Sequence, residues 1–600
     1  MKIDSVPKPQ TTPESPKLPK IMAQPRLAQL AQHLPNASPK SKYTIREQPL
    51  GTTRPLRIIS IGAGASGINM ARTLRLHMTN YTHVVYEKNP AVGGTWFENR
   101  YPGCKCDIPA HNYQFSWFPN PGWRSFFADA GEIEEYLCRA CESEKLAGDI
   151  KLEHRVVGAW WVENKGQWRV SVENLRSGKV FDDWCHFLLD GTGILNNWKW
   201  PDTPGLHDFQ GKLVHSANWP EKLEYAGKRV AVIGNGSTGI QIVPAIRPVV
   251  SELVHFVRSP TWVVPPRLQV LANSKAGEVI TQVEMDEEGN FRPEQIERFK
   301  ADPAFYKRFV KAVEEEVNGN FPITMKDSDY AKAVKEGAAA FMRSELEGDE
   351  RLCRILIPNF PVGCRRITPG VGYLSSLGAA NTRVVTNRIR RVVPKGIELD
   401  TGEIINLDII VCATGFDVSF CPRFPIVGRA GNLQDIWSKS IPQAYMSCAV
   451  PGLPNFFMFL GPSAPIGHGS VFTLTEHIAK YITRILLKCQ TEGIKSLAPS
   501  SQAVSEFSEH IATFMPRTSW AGPCRSWFKG GTEDGPVTAL HPGSRIHFFH
   551  MLEQFRGEDW EYVYEAPGAN RFAYLGNGFS TRELDPTVDS TWYLDEPDKL

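Results

Sequence analysis

The sequence lacks an apolar run of about 18 residues or more, the length that marks a bilayer-spanning helix. Its longest candidate, residues 445–460, is interrupted by Pro451 and Pro454. No N-terminal apolar stretch has the form of a signal peptide. An excess of one charge is missing too. Lys and Arg total 67 against 65 Asp and Glu, a net charge of +2, which removes the footing of a protein held on nucleic acid through phosphates. The twelve cysteines are scattered, many in apolar or helical settings such as Ile-Ile-Val-Cys412-Ala-Thr. That excludes a small disulfide framework and fits a reducing compartment, the cytoplasm. Cys138 and Cys141 form a C-x-x-C inside a helical stretch, and no second pair follows at zinc spacing, so no metal is expected. The final Asp598-Lys599-Leu600 resembles a peroxisomal tripeptide, with an acidic first position that argues against one.

What the chain has is length. Its 600 residues, 42% of them hydrophobic, exceed one ordinary core, so two or more domains are expected. Residues 1–55, rich in Pro, Lys, Ser and Thr, read as a mobile extension with one short helix near residues 23–34. From Leu56 the character changes. Arg57-Ile58-Ile59-Ser60-Ile61 ends in glycines, a helical pattern runs from Ile68 to Leu76, and His83–Glu87 is a second strand. This is a β-α-β unit. The plan recurs at Lys228–Ile233, with a helix over 240–246 that contains Pro244 and a strand over 253–257. The fold class expected is α/β, with two Rossmann-like dinucleotide-binding domains.

Both units carry a glycine loop between strand and helix. The first is Gly62-Ala63-Gly64-Ala65-Ser66-Gly67 and the second Gly234-Asn235-Gly236-Ser237-Thr238-Gly239. Glycine lets the backbone turn tightly against a pyrophosphate, and the following helix offers free N–H groups and a favourable dipole. The strand ends differ. Glu87 closes the first unit's second strand, and an acid there suits a ribose hydroxyl pair, as in FAD or NAD. Arg258-Ser259 closes the second, and a guanidinium there accepts a 2′-phosphate that an acid would repel. The first site therefore reads as FAD and the second as NADPH. An unliganded surface arginine is the alternative for Arg258.

The domain plan expected is a mobile segment 1–55, a first part of the FAD domain at 56–195, an NADPH domain at 196–395, and a return to the FAD domain over 396–600. The NADPH domain would hold a helical insert at about 270–350, where Phe305, Phe309, Val313 and Val317 recur every four residues among charges. The insert packs or serves as a substrate lid. The apolar run 407–413 reads as a buried parallel strand at the return. A helix is expected over 475–488.

Two longer segments narrow the reaction. Phe209-x-Gly211-x-x-x-His215-x-x-x-Trp219-Pro220 resembles the fingerprint of type I Baeyer–Villiger monooxygenases. Related N- and S-oxidising flavin monooxygenases usually carry Phe or Tyr where Trp219 stands. Gly93-Gly94-Thr95-Trp96, continuing through Tyr101-Pro102-Gly103 to Asp107, is similar to a second motif of the same enzymes. Gly363-Cys364-Arg365-Arg366 and Ala413-Thr414-Gly415-Phe416-Asp417 also resemble family segments. The segment 574–585 resembles the tails of fungal members, and 366–373 resembles the fungal branch that acts on polycyclic natural products. The resemblance runs from about Pro55 to the C-terminus.

The resemblance implies an NADPH- and O₂-dependent enzyme that inserts oxygen beside a ketone carbonyl through a C4a-peroxyflavin, giving an ester or lactone. A bulky polycyclic or terpenoid-like ketone of secondary metabolism is the implied substrate. Arg366 would lie beside the flavin, with Asp107 orienting it; a turn-capping Asp is the alternative. A permanent cation stabilises the peroxide anion and the oxyanion that follows it. Gly94, Thr95, Trp96, Asp107 and Tyr113 would join the FAD site, and Arg365 the NADP phosphate site. Trp527 would lie on the nicotinamide side, core packing being its alternative. His215 and Trp219 would couple the domains. Gly467-His468-Gly469-Ser470 would bring backbone N–H groups near the flavin, or form a plain loop-to-helix turn. Rival functions are an N- or S-oxygenase, a flavin disulfide reductase and a non-catalytic redox sensor. Cys104 and Cys106, one residue apart, lack the spacing of the reductase pair. The sequence gives no sign of the oligomeric state.

Overall fold

The computed structural model describes residues 43–265, 274–565 and 570–595. The expected helix at 23–34 and the C-terminal tripeptide lie outside the described residues. No helix among the described residues is long and apolar enough to cross a membrane. The chain divides into two units. In the smaller, formed from residues 43–54, Lys488–Ile494 and Tyr564 onward, Leu50 bridges Ser580 and Arg54 donates to the carbonyls of Cys489 and Ile494. The larger, Pro55–Leu487 with Lys495–Val563, holds both glycine loops.

Each loop leaves a five-stranded parallel sheet. The first sheet runs Phe456–Met458, Phe187–Asp190, Leu56–Ile61, Tyr81–Tyr86, Ile150–Lys151. The second runs Thr382–Val385, Glu252–Phe256, Arg229–Ile233, Ile409–Cys412, Lys212–His215. In both, the strand that opens the unit lies at the centre of the sheet. Ile58 and Ile59 in one and Val232 in the other are fully buried, as expected of sheets covered on both faces. The helices that follow the loops span Ala65–His77 and Ser237–Ile246. The second contains Pro244 eight positions into the element and continues to Ile246, with Arg247 as its C-cap. A separate, mostly antiparallel sheet, led by His154–Val162, Gln167–Asn174 and Lys179–Cys185, belongs with the first domain.

Three expectations are corrected. The strand Ile409–Cys412 pairs with Arg229–Ile233 and Lys212–His215, so it is central to the second sheet. The chain rejoins the first domain only beyond it, where Ile426–Gly428 pairs with His154–Val162, and not from residue 396. An apolar run reports burial in a parallel sheet without saying which sheet, so the boundary fell too early.

The insert is not wholly part of the second domain. Helices Lys275–Ile280, Pro293–Ala301 and Pro303–Gly319 pack around Phe126 of the first domain, and the segment at Asn290 bridges Ser125. Helices Asp329–Glu345 and Glu350–Leu356 instead bury Met342, Leu346, Leu352 and Leu356 in the core of the second. Helical periodicity identified the apolar faces without naming their partners. Finally, Cys364 and Cys524 form a disulfide, where scattered free thiols were expected. A separation of 160 residues hides such a pairing from sequence spacing. The helix expected over 475–488 spans Val471–Thr491.

Candidate active site

The first loop is shaped by contacts only glycine allows. Gly62 has a φ of 96°, and a Cβ there would stand 2.7 Å from the Gly191 carbonyl oxygen. A Cβ on Gly67 would collide with the carbonyl of Gly62, and one on Gly239 with that of Gly234, its counterpart in the second loop. Gly64 and Gly236 cap the two helices with no side chain in the way. Around Gly236 an added Cβ would meet nothing within 4 Å, so that side of the loop is open to a ligand. Both turns suit a pyrophosphate. Ser66 is buried on the first helix, while Ser237 exchanges a hydrogen bond with Thr368 (2.7 Å), beside Thr238 at the start of the second.

The two strand ends are in different electrostatic states. Glu87 is 4% exposed, and its carboxylate accepts the Ala63 N–H (2.7 Å) and the Asn89 N–H (2.8 Å). Burial raises its pKa, and the two N–H groups oppose that shift. Arg258 is exposed. Burial and then the nearby Arg525 guanidinium lower its pKa. Arg365 reaches the same turn, donating to Ser259 Oγ (3.2 Å) and the Pro260 carbonyl (2.8 Å).

The 93–107 segment ties the first loop to the second domain. Gly94 sits against Gly64, and an added Cβ would lie 3.0 Å from the Gly64 Cα. Thr95 and Trp96 open a one-turn helix, and Trp96 donates to the Tyr113 hydroxyl (3.3 Å). Tyr101 donates to Gln241 (2.9 Å), on the helix that follows the second loop, and Gln241 donates back to the Lys105 carbonyl (2.9 Å). Gln241 gave no sequence signal, because it belongs to no recognised motif position.

Asp107 ends this segment and receives a two-pronged hydrogen bond from Arg366, Nε to Oδ2 at 2.6 Å and Nη2 to Oδ1 at 2.7 Å. Their side chains are 24% and 15% exposed. Arg366 Nη1 also donates to the Ile466 carbonyl (3.0 Å). Burial works against the guanidinium charge, but the Asp107 carboxylate outweighs it and raises the arginine's pKa. Residues 259 positions apart are thus joined as a fixed cation.

His215 is 1% exposed, stacks on Trp198 (4.6 Å between ring centres), and its Nδ1 accepts the Ala217 N–H (3.2 Å). Its Nε2 lies 3.4 Å from Thr414 Oγ1. Burial lowers its pKa to about 4, so it is neutral near pH 7 and suited to holding a junction. Trp219 packs against the second domain's core. Trp527 is half-buried against Phe528, three residues beyond the disulfide at Cys524. Gly469 adopts a φ of 73° against Arg545. Cys104 and Cys106 are free and buried, and burial pushes the Cys104 thiol up to about 12 and raises that of Cys106, the opposite of a reactive pair.

His111 lies outside every motif of the sequence. It is fully enclosed, with Phe291, Phe299, Tyr306 and Phe309 around its ring at 5.1–5.6 Å, and neither ring nitrogen has a partner. It sits four residues after Asp107 and fixes that loop to the insert. No motif flagged it, because its cage comes from residues nearly two hundred positions away.

The profile of an NAD(P)-binding Rossmann-like domain matches residues 61–130. The chain is 39% identical over 548 residues to the FAD-binding monooxygenase tazF of Aspergillus terreus, covering 90% of this chain and 95% of that one. It is 31% identical over 505 residues to a Baeyer-Villiger monooxygenase of Pseudomonas aeruginosa, covering 84% and 90%. Among solved structures it is similar to cyclohexanone monooxygenase from Rhodococcus sp. Phi1 bound to NADP+, with a TM-score of 0.70, 27% identity, and coverage of 86% of this chain and all of that one.

Proposed function

The chain belongs to the Baeyer–Villiger-type FAD-binding monooxygenases, and from that premise we propose that it uses NADPH and O₂ to insert one oxygen beside a ketone carbonyl, forming an ester or lactone. FAD takes the Gly62–Gly67 loop, with Glu87 on the ribose. NADPH takes the Gly234–Gly239 loop, with Arg258, Ser259 and Arg365 at the 2′-phosphate. Bound FAD, reduced by NADPH, supplies the activation of O₂. The remaining work falls to the chain's own residues.

The observation that carries this reading is the Asp107–Arg366 pair. A guanidinium has five N–H groups, and three of them are engaged, two by Asp107 and one by Ile466. Two N–H bonds remain, one on each terminal nitrogen, to meet negative charge developing on the reacting oxygens. The Asp107 grip fixes the plane in which they point, so little reorganisation is required when the charge appears. Arginine stays protonated at any working pH, so it cannot quench the oxygen nucleophile by giving up a proton. Asp107 acts as a positioning residue through Arg366. A bulky polycyclic ketone of secondary metabolism is the proposed substrate, on the resemblance of segment 366–373 to the fungal branch that acts on such compounds.

The test is stopped-flow absorbance of the NADPH-reduced holoenzyme mixed with O₂, with and without a panel of polycyclic and monocyclic ketones. A transient flavin absorption band that decays faster with a ketone, together with ester or lactone product, is expected. Direct return to oxidised FAD with every electron recovered as hydrogen peroxide would overturn the ketone reading.

A further inference from the structure

Each cysteine of the Cys364–Cys524 disulfide is followed in the chain by an arginine, Arg365 and Arg525. The bond joins two segments whose Cα atoms stand 6.3 Å apart, and both cysteines are buried, at 0% and 3% exposure. Arg365 is in turn tied to the Ser259–Pro260 turn by two hydrogen bonds, which places it beside Arg258. Arg365 and Arg525 thus adjoin the disulfide from its two segments, and Arg258 immediately precedes the turn that Arg365 grips. Burial and then the charge of Arg525 lower the pKa of Arg258, and burial and then the charge of Arg258 lower that of Arg365. Like charges brought together without a counter-ion raise the free energy of the protein unless an anion completes the group. The open side of Gly236 on the neighbouring loop gives a ligand room to approach.

We propose that Arg525 is a third anchor for the 2′-phosphate of NADPH, and that the Cys364–Cys524 disulfide holds it in place. The inference rests on the reading of the second loop as the NADPH site, and adds to it the residue that sets preference for the phosphorylated cofactor. Arg525 is exposed, so its contribution is that of a solvated charge contact, about fivefold to tenfold in affinity. The disulfide removes the freedom that the loop would otherwise lose on binding, which is the general advantage of preorganisation.

The test is isothermal titration of the FAD holoenzyme with adenosine 2′,5′-bisphosphate and with 5′-AMP. Arg525→Ala is expected to weaken the bisphosphate about fivefold to tenfold and leave 5′-AMP within about twofold; Arg525→Lys should recover part of the loss. Cys524→Ser and Cys364→Ser should each reproduce the selective loss, and neither should add to Arg525→Ala. Flavin content confirms that each variant is folded. If Arg258→Ala and Arg365→Ala weaken the bisphosphate selectively while Arg525→Ala does not, the third anchor is wrong and the NADPH site stands. If none of the three arginines affects the difference between the two ligands, the assignment of the second loop fails as well. If Arg525→Ala acts but both cysteine variants bind like the parent, the role of the disulfide is overturned.

Discussion

The two glycine loops share a backbone and differ in how their charges are settled. At the first, Glu87 is buried and its carboxylate is already held by two backbone N–H groups, so the polar groups are satisfied before any ligand arrives. At the second, Arg258 and Arg365 meet at the Ser259–Pro260 turn, and each has its pKa lowered first by burial and then by a neighbouring guanidinium. On the same fold unit, one strand end therefore carries an acid already paired within the chain and the other a group of like charges.

The largest expected effect breaks this comparison at the loops. Gly67→Ala drives a Cβ into the Gly62 carbonyl and should yield protein without flavin, seen as loss of the yellow absorbance. Gly239→Ala makes the matching collision in the second loop and should leave a yellow protein that NADPH no longer reduces. If both variants lost flavin alike, the two loops would not be separate sites. Next in size is Arg366→Ala. Ketone oxygenation should fall about 10²–10³-fold, as for the loss of one electrostatic group, while flavin content and reduction by NADPH persist. Undiminished product formation would remove Arg366 from the chemistry. Smaller again is Arg258→Ala, expected to raise KM for NADPH about tenfold and to leave KM for NADH nearly unchanged. Equal changes for both would take Arg258 out of the phosphate site.

The smallest effect concerns the junction of the domains. His215 has its pKa lowered to about 4 by burial, against about 6.5 for an unfolded histidine. The unfolded chain therefore binds the extra proton between those values, and stability falls as pH drops from 6.5 toward 4. In His215→Asn the amide oxygen can still accept the Ala217 N–H, and the loss of melting temperature on acidification over that window should be smaller than in the parent. An identical pH profile would mean that His215 is not buried neutral.

The β-α-β repeats and the acid-to-arginine change at the strand ends were legible because strand period, glycine spacing and helix onset lie within about thirty residues of one another. Arg366 and Asp107 were legible only through family resemblance, since no local pattern links positions 259 apart. Four features were not legible. Ile409–Cys412 has no feature in its apolar side chains that selects the second sheet over the first. The Cys364–Cys524 pairing and the enclosure of His111 depend on the chain bringing distant segments together. The insert was recognised as helical, but its division between two cores depends on which apolar surface each face meets.

That division has a consequence for engineering. A pocket designer would wish to exchange the insert between relatives as one block. Its first three helices complete the hydrophobic packing around Phe126, and its last two complete the packing around Val230 and Leu253. A whole-block transplant therefore presents foreign surfaces to two cores at once. The natural crossover point is the short turn Phe321–Thr324, between the helices Pro303–Gly319 and Asp329–Glu345. Chimeras joined there replace one half at a time and keep the other half with the core it was shaped to fit.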